Sequence, residues 1–456
     1  NLMAMAVEEM IRAQPMDAVV LMGGCDKTVP ALLMGAVSAG KPAVMLVAGP
    51  MMTGRYKGER LGACTDCRRF WAQYRAGSVS QEEIDQIEGN LAVTSGTCAV
   101  MGTASSMAVI AETLGVMLPN TASIPAVHAD RLRASEQTGT VAAKMAIQGG
   151  PKLDQLITEE SVENALRVLL SVSGSTNAII HLTAIAGRAG VEVDLKRFNE
   201  LSDETPVLVD LKPVGTGYME DFHSAGGLDG VLRALAPQLS LQTINLTGQS
   251  LEHRLQEDSS KQADQSVIRT LQDPVDSQGG LIALHGTLAP GGAILKRAAA
   301  TPALLEHEGR AVVFSSLEDL AARIDSPDLD VEAEDILVLQ NAGPRSPSGM
   351  PEAGYLPIPK KLAKAGVKDM VRISDARMSG TAFGTIVLHV TPEADLGGPL
   401  ALVQNGDRIR LSASAKTIDL LVTPEELEHR RSTLLPSTPP PSRGYQKLYH
   451  DTILPA

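Results

Sequence analysis

The run Gly23-Gly24-Cys25-Asp26-Lys27-Thr28-Val29-Pro30 places a thiol, a carboxylate and an amine on three consecutive residues, directly after the apolar stretch 17–22. A thiolate is a soft ligand that suits an iron-sulfur cluster, zinc or copper, whereas a carboxylate suits magnesium or another hard cation. Two kinds of metal centre can therefore meet on one strand-to-helix turn. The same run is also compatible with a plain glycine-rich βα loop whose cysteine is a small buried residue. Lys27 adds a constraint, because a protonated lysine carries only donors and binds no cation. It either pairs with Asp26 as an ordinary ion pair or is converted into an oxygen ligand.

Further chemistry-bearing segments follow. Thr94-Ser95-Gly96-Thr97-Cys98 repeats the pattern of a glycine before a cysteine and then a helix. Cys64-Thr65-Asp66-Cys67 is a C-x-x-C pair, alone a redox or zinc motif, although zinc ribbons need two such pairs. Pro344-Arg345-Ser346-Pro347-Ser348-Gly349-Met350-Pro351-Glu352 ends on a carboxylate, and Ser374-Asp375-Ala376-Arg377-Met378-Ser379-Gly380-Thr381 carries a serine without the Gly-x-Ser-x-Gly frame of a hydrolase nucleophile.

Taken in order, the motifs at Cys25, Cys98, Glu352 and Ser379 resemble the dihydroxy-acid and sugar-acid dehydratase (IlvD/Edd) family, over nearly the whole chain from Asn1 to about Tyr449. The segments around Cys98, 62–71 and 360–400 are most similar to the sugar-acid branch, in particular the pentonate (arabinonate-type) dehydratases. The resemblance implies an α/β fold: an N-terminal parallel-sheet α/β domain and a C-terminal β-barrel-like domain resembling the swivelling domain of aconitase. It implies a 2Fe-2S cluster held by Cys25, Cys98 and a third cysteine upstream of Asn1, leaving one iron open as a Lewis acid. It further implies Mg2+ on Asp26, a carbamylated Lys27, Glu352 and another upstream carboxylate. Ser379, as the alkoxide, is then the base that takes the proton from C2, its pKa lowered by the nearby dication. Thr381 orients the serine or the substrate. Two departures stand out: Ser346 and Ser348 replace part of the family's glycine-rich run, and the upstream ligands lie outside the chain. Because sugar-acid relatives carry a similar Cys-Thr-Asp-Cys, Cys64 and Cys67 are read as structural.

These residues need elements to position them. Short aliphatic runs at 17–22 and 42–48 flank a helical stretch at 29–39, the spacing of a βαβ unit whose loop falls at a strand's carboxyl end, where open α/β sheets bind ligands. Helices are expected at 2–13, 81–88, 104–114, 159–170 and 176–188, and a strand at 206–211 leading into a loop with the acid pair Glu220-Asp221. The polar stretch 249–278, with Asp273-Pro274, marks a boundary. Beyond it, β-type runs at 280–285, 311–314, 336–340, 369–373, 385–390 and 409–411 indicate a β-rich domain. The expected division is 1–275 and 276–456, with an extended, proline-rich tail from about 434.

Composition limits the possibilities. A chain of 456 residues exceeds one ordinary core, and 44% hydrophobic with 20% charged residues describes a soluble globular enzyme. A net charge of −13 argues against nucleic acid as a partner. The basic cluster Arg55, Lys57, Arg60, Arg68, Arg69 and Arg75 is read as a solvated or subunit-facing surface. No run approaches the roughly 20 apolar residues of a membrane span. Four cysteines do not make a disulfide framework, which fits a reducing, cytoplasmic compartment. The chain opens at Asn1 inside a helix, so an upstream segment, with any targeting signal, is expected to be missing.

The reading is a hydro-lyase that removes water from a 2,3-dihydroxy carboxylic acid, a small-molecule sugar acid such as a pentonate, to give a 2-keto-3-deoxy acid. The protein is expected to be a homodimer or homotetramer without a membrane partner. Two alternatives stay open: a dihydroxy-acid dehydratase of branched-chain amino-acid biosynthesis, and a non-catalytic iron-sulfur or metal-sensing protein using Cys25, Cys64, Cys67 and Cys98. The presence of Ser379, Asp26, Lys27 and Glu352 speaks against the second.

Overall fold

The aliphatic run that precedes the first glycine pair forms the strand Val19–Gly23, which pairs in parallel with Ala43–Val47 from Val19↔Ala43 to Gly23↔Val47. The helix Thr28–Ala39 connects them and stops at Gly40, whose φ of 66° is left-handed and suits glycine. The spacing of the sequence predicts this βαβ unit. The computed structural model describes residues 1–257, 263–346, 356–380, 382–434 and 440–454. It divides into two compact units, Asn1–Cys67 with Asp85–Gly280, and Arg68–Ile84 with Leu281–Ala456.

In the first unit the helix Leu2–Ala13 packs on Thr28–Ala39 so closely that a Cβ at Gly35 would lie 2.7 Å from the Ala4 carbonyl oxygen. Glycine is what permits that approach. The helix Thr103–Thr113 is buried along its whole length. Two of its hydroxyls turn back one turn along the backbone, Ser106 donating to the Gly102 carbonyl at 2.8 Å and Thr113 to Val109 at 2.7 Å, so they stay satisfied in an apolar setting. Glu112, on the same helix, accepts the N–H groups of Asn120, Thr121 and Ala122 at 2.8, 3.1 and 2.7 Å and pairs with Arg254, which also pairs with Asp229.

Several elements differ from expectation, among them the tail read as extended from about 434, which carries the helix Gly444–Thr452. Residues 206–211 are not a strand: Val207, Val209 and Leu211 make isolated bridges to Asp276, Ile268 and Gly217. Burial accounts for the aliphatic pattern, but three separate partners leave no continuous ladder. The helix Ala129–Gln148 was not anticipated, because it buries only Arg131, Ala134, Thr138 and Met145, two of them polar, and its apolar periodicity is correspondingly weak.

The second unit is built on an eight-stranded mixed sheet in the order Thr417–Leu420, Arg408–Ser412, Glu306–Phe314, Ile336–Leu339, Arg372–Ser374, Ile386–Thr391, Gly292–Leu295, Ile282–Leu284. Glu306–Phe314, Ile336–Leu339, Arg372–Ser374 and Ile386–Thr391 run parallel, and the flanking pairs are antiparallel. The ends of the sheet meet where His285 bridges Thr417: its N–H donates to Lys416 at 3.0 Å and its carbonyl accepts from Ile418 at 2.9 Å. The sheet is thus nearly closed into a barrel, which removes its open edges. Neighbouring residues divide between two cores, Val313 and Val338 in one, Val312, Phe314, Leu337 and Leu339 in the other. A strand buried on both faces reads as a continuous aliphatic run, which explains why most of these strands were visible in the sequence. The α/β unit and the barrel-like sheet are the fold class expected. Among the described residues, no helix is long and apolar enough to cross a membrane.

Candidate active site

The turn after Val19–Gly23 is shaped by two constraints. A Cβ at Gly24 would come within 2.7 Å of the Ala48 side chain, so only glycine lets the two strand ends run so close. The Cys25 carbonyl then accepts the N–H groups of Thr28 and Val29 at 3.1 and 3.4 Å, starting the helix and leaving Cys25, Asp26 and Lys27 at the strand's carboxyl end. Both oxygens of Asp26 are engaged, one by the Cys25 thiol at 3.3 Å and the other by the Lys27 ammonium at 2.7 Å. The Asp26 side chain is 14% exposed and that of Lys27 46%. Burial, together with the Asp26 charge, pushes the Cys25 thiol above its usual range.

Cys98 is brought to the same place by backbone pairing. The Thr97 N–H donates to Gly49 and its carbonyl accepts from Met51, both at 2.9 Å, which ties the loop to the exit of Ala43–Val47. Gly96, at φ 130°, sits where a Cβ would lie 2.4 Å from the Met51 nitrogen. Beyond the loop, Ala99 and Val100 pack with Tyr218, and Met51 and Cys98 lie against them. The Cys98 thiol is held far above its usual range, first by its contact with Cys64, then by burial and by the charges of Cys64, Cys25 and Asp26. Cys25, Asp26, Cys64 and Cys98 therefore share one neighbourhood.

Cys64, read from the sequence as structural, stands with its Sγ 3.1 Å from Cys98 Sγ. Its backbone is left-handed at φ 77°, uncommon for a residue with a Cβ. The loop that carries it is fixed by Asp66, which accepts the Gly62 N–H at 2.8 Å, the Lys212 ammonium at 2.9 Å and the Tyr218 hydroxyl at 2.9 Å. Lys212 also donates to the Tyr218 oxygen at 2.7 Å. Burial works to raise the Asp66 pKa, but these hydrogen bonds and the Lys212 charge outweigh it and hold the carboxyl below its ordinary value. Nothing in the local spacing of Cys64 signals the contact; the tie runs to Lys212 and Tyr218, in a loop noted only for its acids.

Those acids hold the Arg60 guanidinium. Glu220 accepts from Thr53 Oγ1 at 2.6 Å and from Arg60 at 3.2 Å, and Asp221 takes both ends of the Arg60 guanidinium at 2.8 Å. Arg60, expected on a solvated or subunit-facing surface, is 33% exposed and held in ion pairs with both acids. Arg75, in the other unit, is likewise tied down, by Asp325 and the Ile358 carbonyl.

Ser379 belongs to the second unit, in the loop after Arg372–Ser374, half-buried, with its carbonyl accepting the Ala382 N–H at 2.9 Å. The loop is anchored by Asp375, whose oxygens accept the N–H groups of Ala342 and Ala394 at 3.1 and 3.0 Å. Glu393 accepts the Arg345 N–H at 2.9 Å, and Tyr449 of the last helix, Gly444–Thr452, donates to the Pro344 carbonyl at 2.9 Å. Burial, with the Asp395 charge, pushes the Asp375 carboxyl up to about 6; burial, with Asp375 and Asp395, pushes Glu393 up to about 7. Glu352 and Thr381 lie outside the described residues.

The donor set of the first unit suits a soft metal group: the thiols of Cys25 and Cys98, the latter set against apolar side chains. Asp26 offers oxygens beside them, as a hard cation requires, but only if Lys27 ceases to be a cation.

Comparison with known proteins agrees with this chemistry. Residues 1–254 match the dihydroxy-acid/6-phosphogluconate dehydratase N-terminal family and residues 266–456 its C-terminal counterpart. The L-arabonate dehydratase of Azospirillum brasilense is 46% identical over 467 residues, covering 100% of this chain and 79% of that protein. The 6-deoxy-6-sulfo-D-gluconate dehydratase of Pseudomonas putida is 43% identical over 459 residues with the same coverage, 100% and 79%. The dihydroxy-acid dehydratase of Pyrococcus abyssi is 37% identical over 460 residues, covering 100% and 82%. The protein is therefore a carbon-oxygen hydro-lyase. It belongs to the dihydroxy-acid/6-phosphogluconate dehydratase family, whose members are generally metal-dependent.

Proposed function

We propose that the protein dehydrates a sugar acid, most readily a pentonate, to the 2-keto-3-deoxy acid. The observation that carries this reading is the meeting of the thiols of Cys25 and Cys98 with the carboxylate of Asp26 around one βα turn. Dehydration breaks two unlike bonds: hydroxide is a poor leaving group, and the proton α to a carboxylate is weakly acidic. The 43% and 46% identity to dehydratases named for sugar acids, against 37% to a dihydroxy-acid dehydratase, favours the sugar-acid substrate.

On this reading Cys25, Cys98 and a further cysteine would hold a 2Fe-2S cluster, and Asp26, carbamylated Lys27 and Glu352 would hold Mg2+; Cys25, Cys98, Asp26 and Lys27 fall within a domain spanning 1–275. When bound, these groups supply the electrophiles that the C3 hydroxyl and the substrate carboxylate each require. Ser379, in the domain 276–456, takes the proton from C2, and Thr381 orients it. Loss of the C3 hydroxyl leaves an enol, which tautomerises to the ketone. Asp375 anchors the Ser379 loop within the second unit. The enzyme works in the cytoplasm as a homodimer or homotetramer, on a small molecule and without a nucleic-acid or membrane partner.

A direct competition between L-arabonate and 2,3-dihydroxyisovalerate tests the substrate. A site that hydrogen-bonds distal hydroxyls leaves its own groups unpaired against an apolar branch, so the pentonate has the higher kcat/KM. Preference for the branched acid reverses the assignment.

A further inference from the structure

The contact between Cys64 and Cys98 is not used by the reaction just described. Two thiols 3.1 Å apart are closer than packing alone demands, and both are held from behind. Cys98 is fixed by the pairing of Thr97 with Gly49 and Met51 and by its apolar wall. Cys64 is fixed by a left-handed backbone at φ 77° and by the Asp66–Lys212–Tyr218 network two residues on. Left-handed backbone at a residue with a Cβ is costly and persists where the surroundings impose it. The chain thus spends conformational strain and a buried ion pair on presenting one sulfur to another. A disulfide needs the sulfurs about 2.05 Å apart, a closure of about 1 Å from the contact seen, within reach of small side-chain rotations.

We infer that Cys64 and Cys98 form a reversible dithiol-disulfide pair that closes when Cys98 carries no metal group. With glutathione disulfide as the oxidant, one cysteine thiolate displaces half of it to give a mixed disulfide. The second thiolate then displaces the other half. The Cys64–Cys98 bond forms, the oxidant's S–S bond breaks, and the two cysteine hydrogens leave on two glutathione thiols; a dithiol reductant reverses the exchange. While the bond is closed, Cys98 has no thiolate to offer as a ligand. The pairing stands on the geometry alone; its effect on metal loading rests on the cluster reading proposed above.

The test uses the full chain, purified free of iron, reduced and desalted, then exposed to glutathione disulfide, alkylated, digested and mapped by mass spectrometry. The expected product is one peptide pair joined through Cys64 and Cys98, lighter by two hydrogens than the reduced peptides and restored by dithiothreitol. Cys67→Ser retains this link. A Cys64–Cys67 link, or a Cys98 that stays alkylatable, overturns the inference. Iron and sulfide content after anaerobic reconstitution supplies a second readout. Oxidised wild type takes up neither until it is reduced, whereas in Cys64→Ser the oxidant leaves Cys98 at most as a glutathione mixed disulfide, with no peptide pair joined through it. If reduced wild type takes up no iron and sulfide although the Cys64–Cys98 link forms, the pairing stands and the cluster reading falls.

Discussion

Replacing Asp66 with asparagine tests whether the loop bearing Cys64 is held by charge. The Asp66 side chain is 1% exposed and that of Lys212 20%, with 2.9 Å between them. Asparagine keeps the shape but presents an NH2 group to neighbours that are themselves donors, and it strands the Lys212 ammonium. Removing one partner of a buried pair costs about 3–5 kcal/mol. Water reaches Lys212 in part, so the low end, about 3 kcal/mol, applies here. At roughly 2–4 °C per kcal/mol for a unit of this size, the melting temperature falls by about 10 °C. Asp66→Asn/Lys212→Met removes the stranded charge as well and recovers most of that loss. Urea or thermal unfolding of the two singles and the double closes the cycle. The folded-state pKa of Asp66 lies below the unfolded value, so its contribution is present above the ordinary carboxylate range and is lost as pH falls through the folded value. The cost of the substitution is therefore flat from about pH 6 to 8 and shrinks in acid. Asp66→Asn melting at the wild-type temperature, or a double variant no better than the single, refutes the argument. Faster alkylation of Cys64 in Asp66→Asn is the accompanying local sign.

Three further outcomes are expected. Ser379→Ala retains its fold, metal content and substrate affinity while losing on the order of 10²- to 10⁴-fold in dehydration rate; near-normal turnover with metals in place puts the proton transfer on another group. Glu393, pushed up to about 7 chiefly by burial, favours the folded state when protonated, so wild-type stability is lost as pH rises through that value. Glu393→Gln flattens the dependence of melting temperature on pH between about 5 and 8. Lys296 is buried, its amine lowered to about 7 by burial alone, and its Nζ has no hydrogen-bond partner among the described residues. The unfolded chain protonates it and the folded chain resists, so Lys296→Met raises the melting temperature at about pH 6, with a gain that vanishes toward pH 10.

How far the sequence revealed this protein depended on whether the deciding interaction was local. The Cys25-Asp26-Lys27 turn was legible because two aliphatic strands and a short helix of the right lengths surround it, and the barrel strands were legible because both faces are buried. Gly292–Leu295 and Thr417–Leu420 were not seen: each has four residues, one opening on glycine and the other alternating with polar residues. The helix Ala129–Gln148 escaped because it buries so little apolar surface. The position of Cys64 was beyond local reading, since the ion pair that sets it joins residues 146 apart in the chain. The pairing of Arg60 was illegible for the same reason, its carboxylate partners lying 160 and 161 residues away.

Glu112 has a consequence for redesign. One side chain on a buried helix takes the donors of three successive peptides, Asn120, Thr121 and Ala122. The path of that segment is therefore held partly from outside it, alongside the Thr121 hydroxyl's own bond to the Leu118 carbonyl. Libraries that vary the outward-facing positions next to it, such as Val127, can be screened on a backbone that stays put, provided Glu112 and Arg254 are left untouched. Randomising Glu112 would have the opposite effect: one altered residue would leave three successive peptide N–H groups without their acceptor.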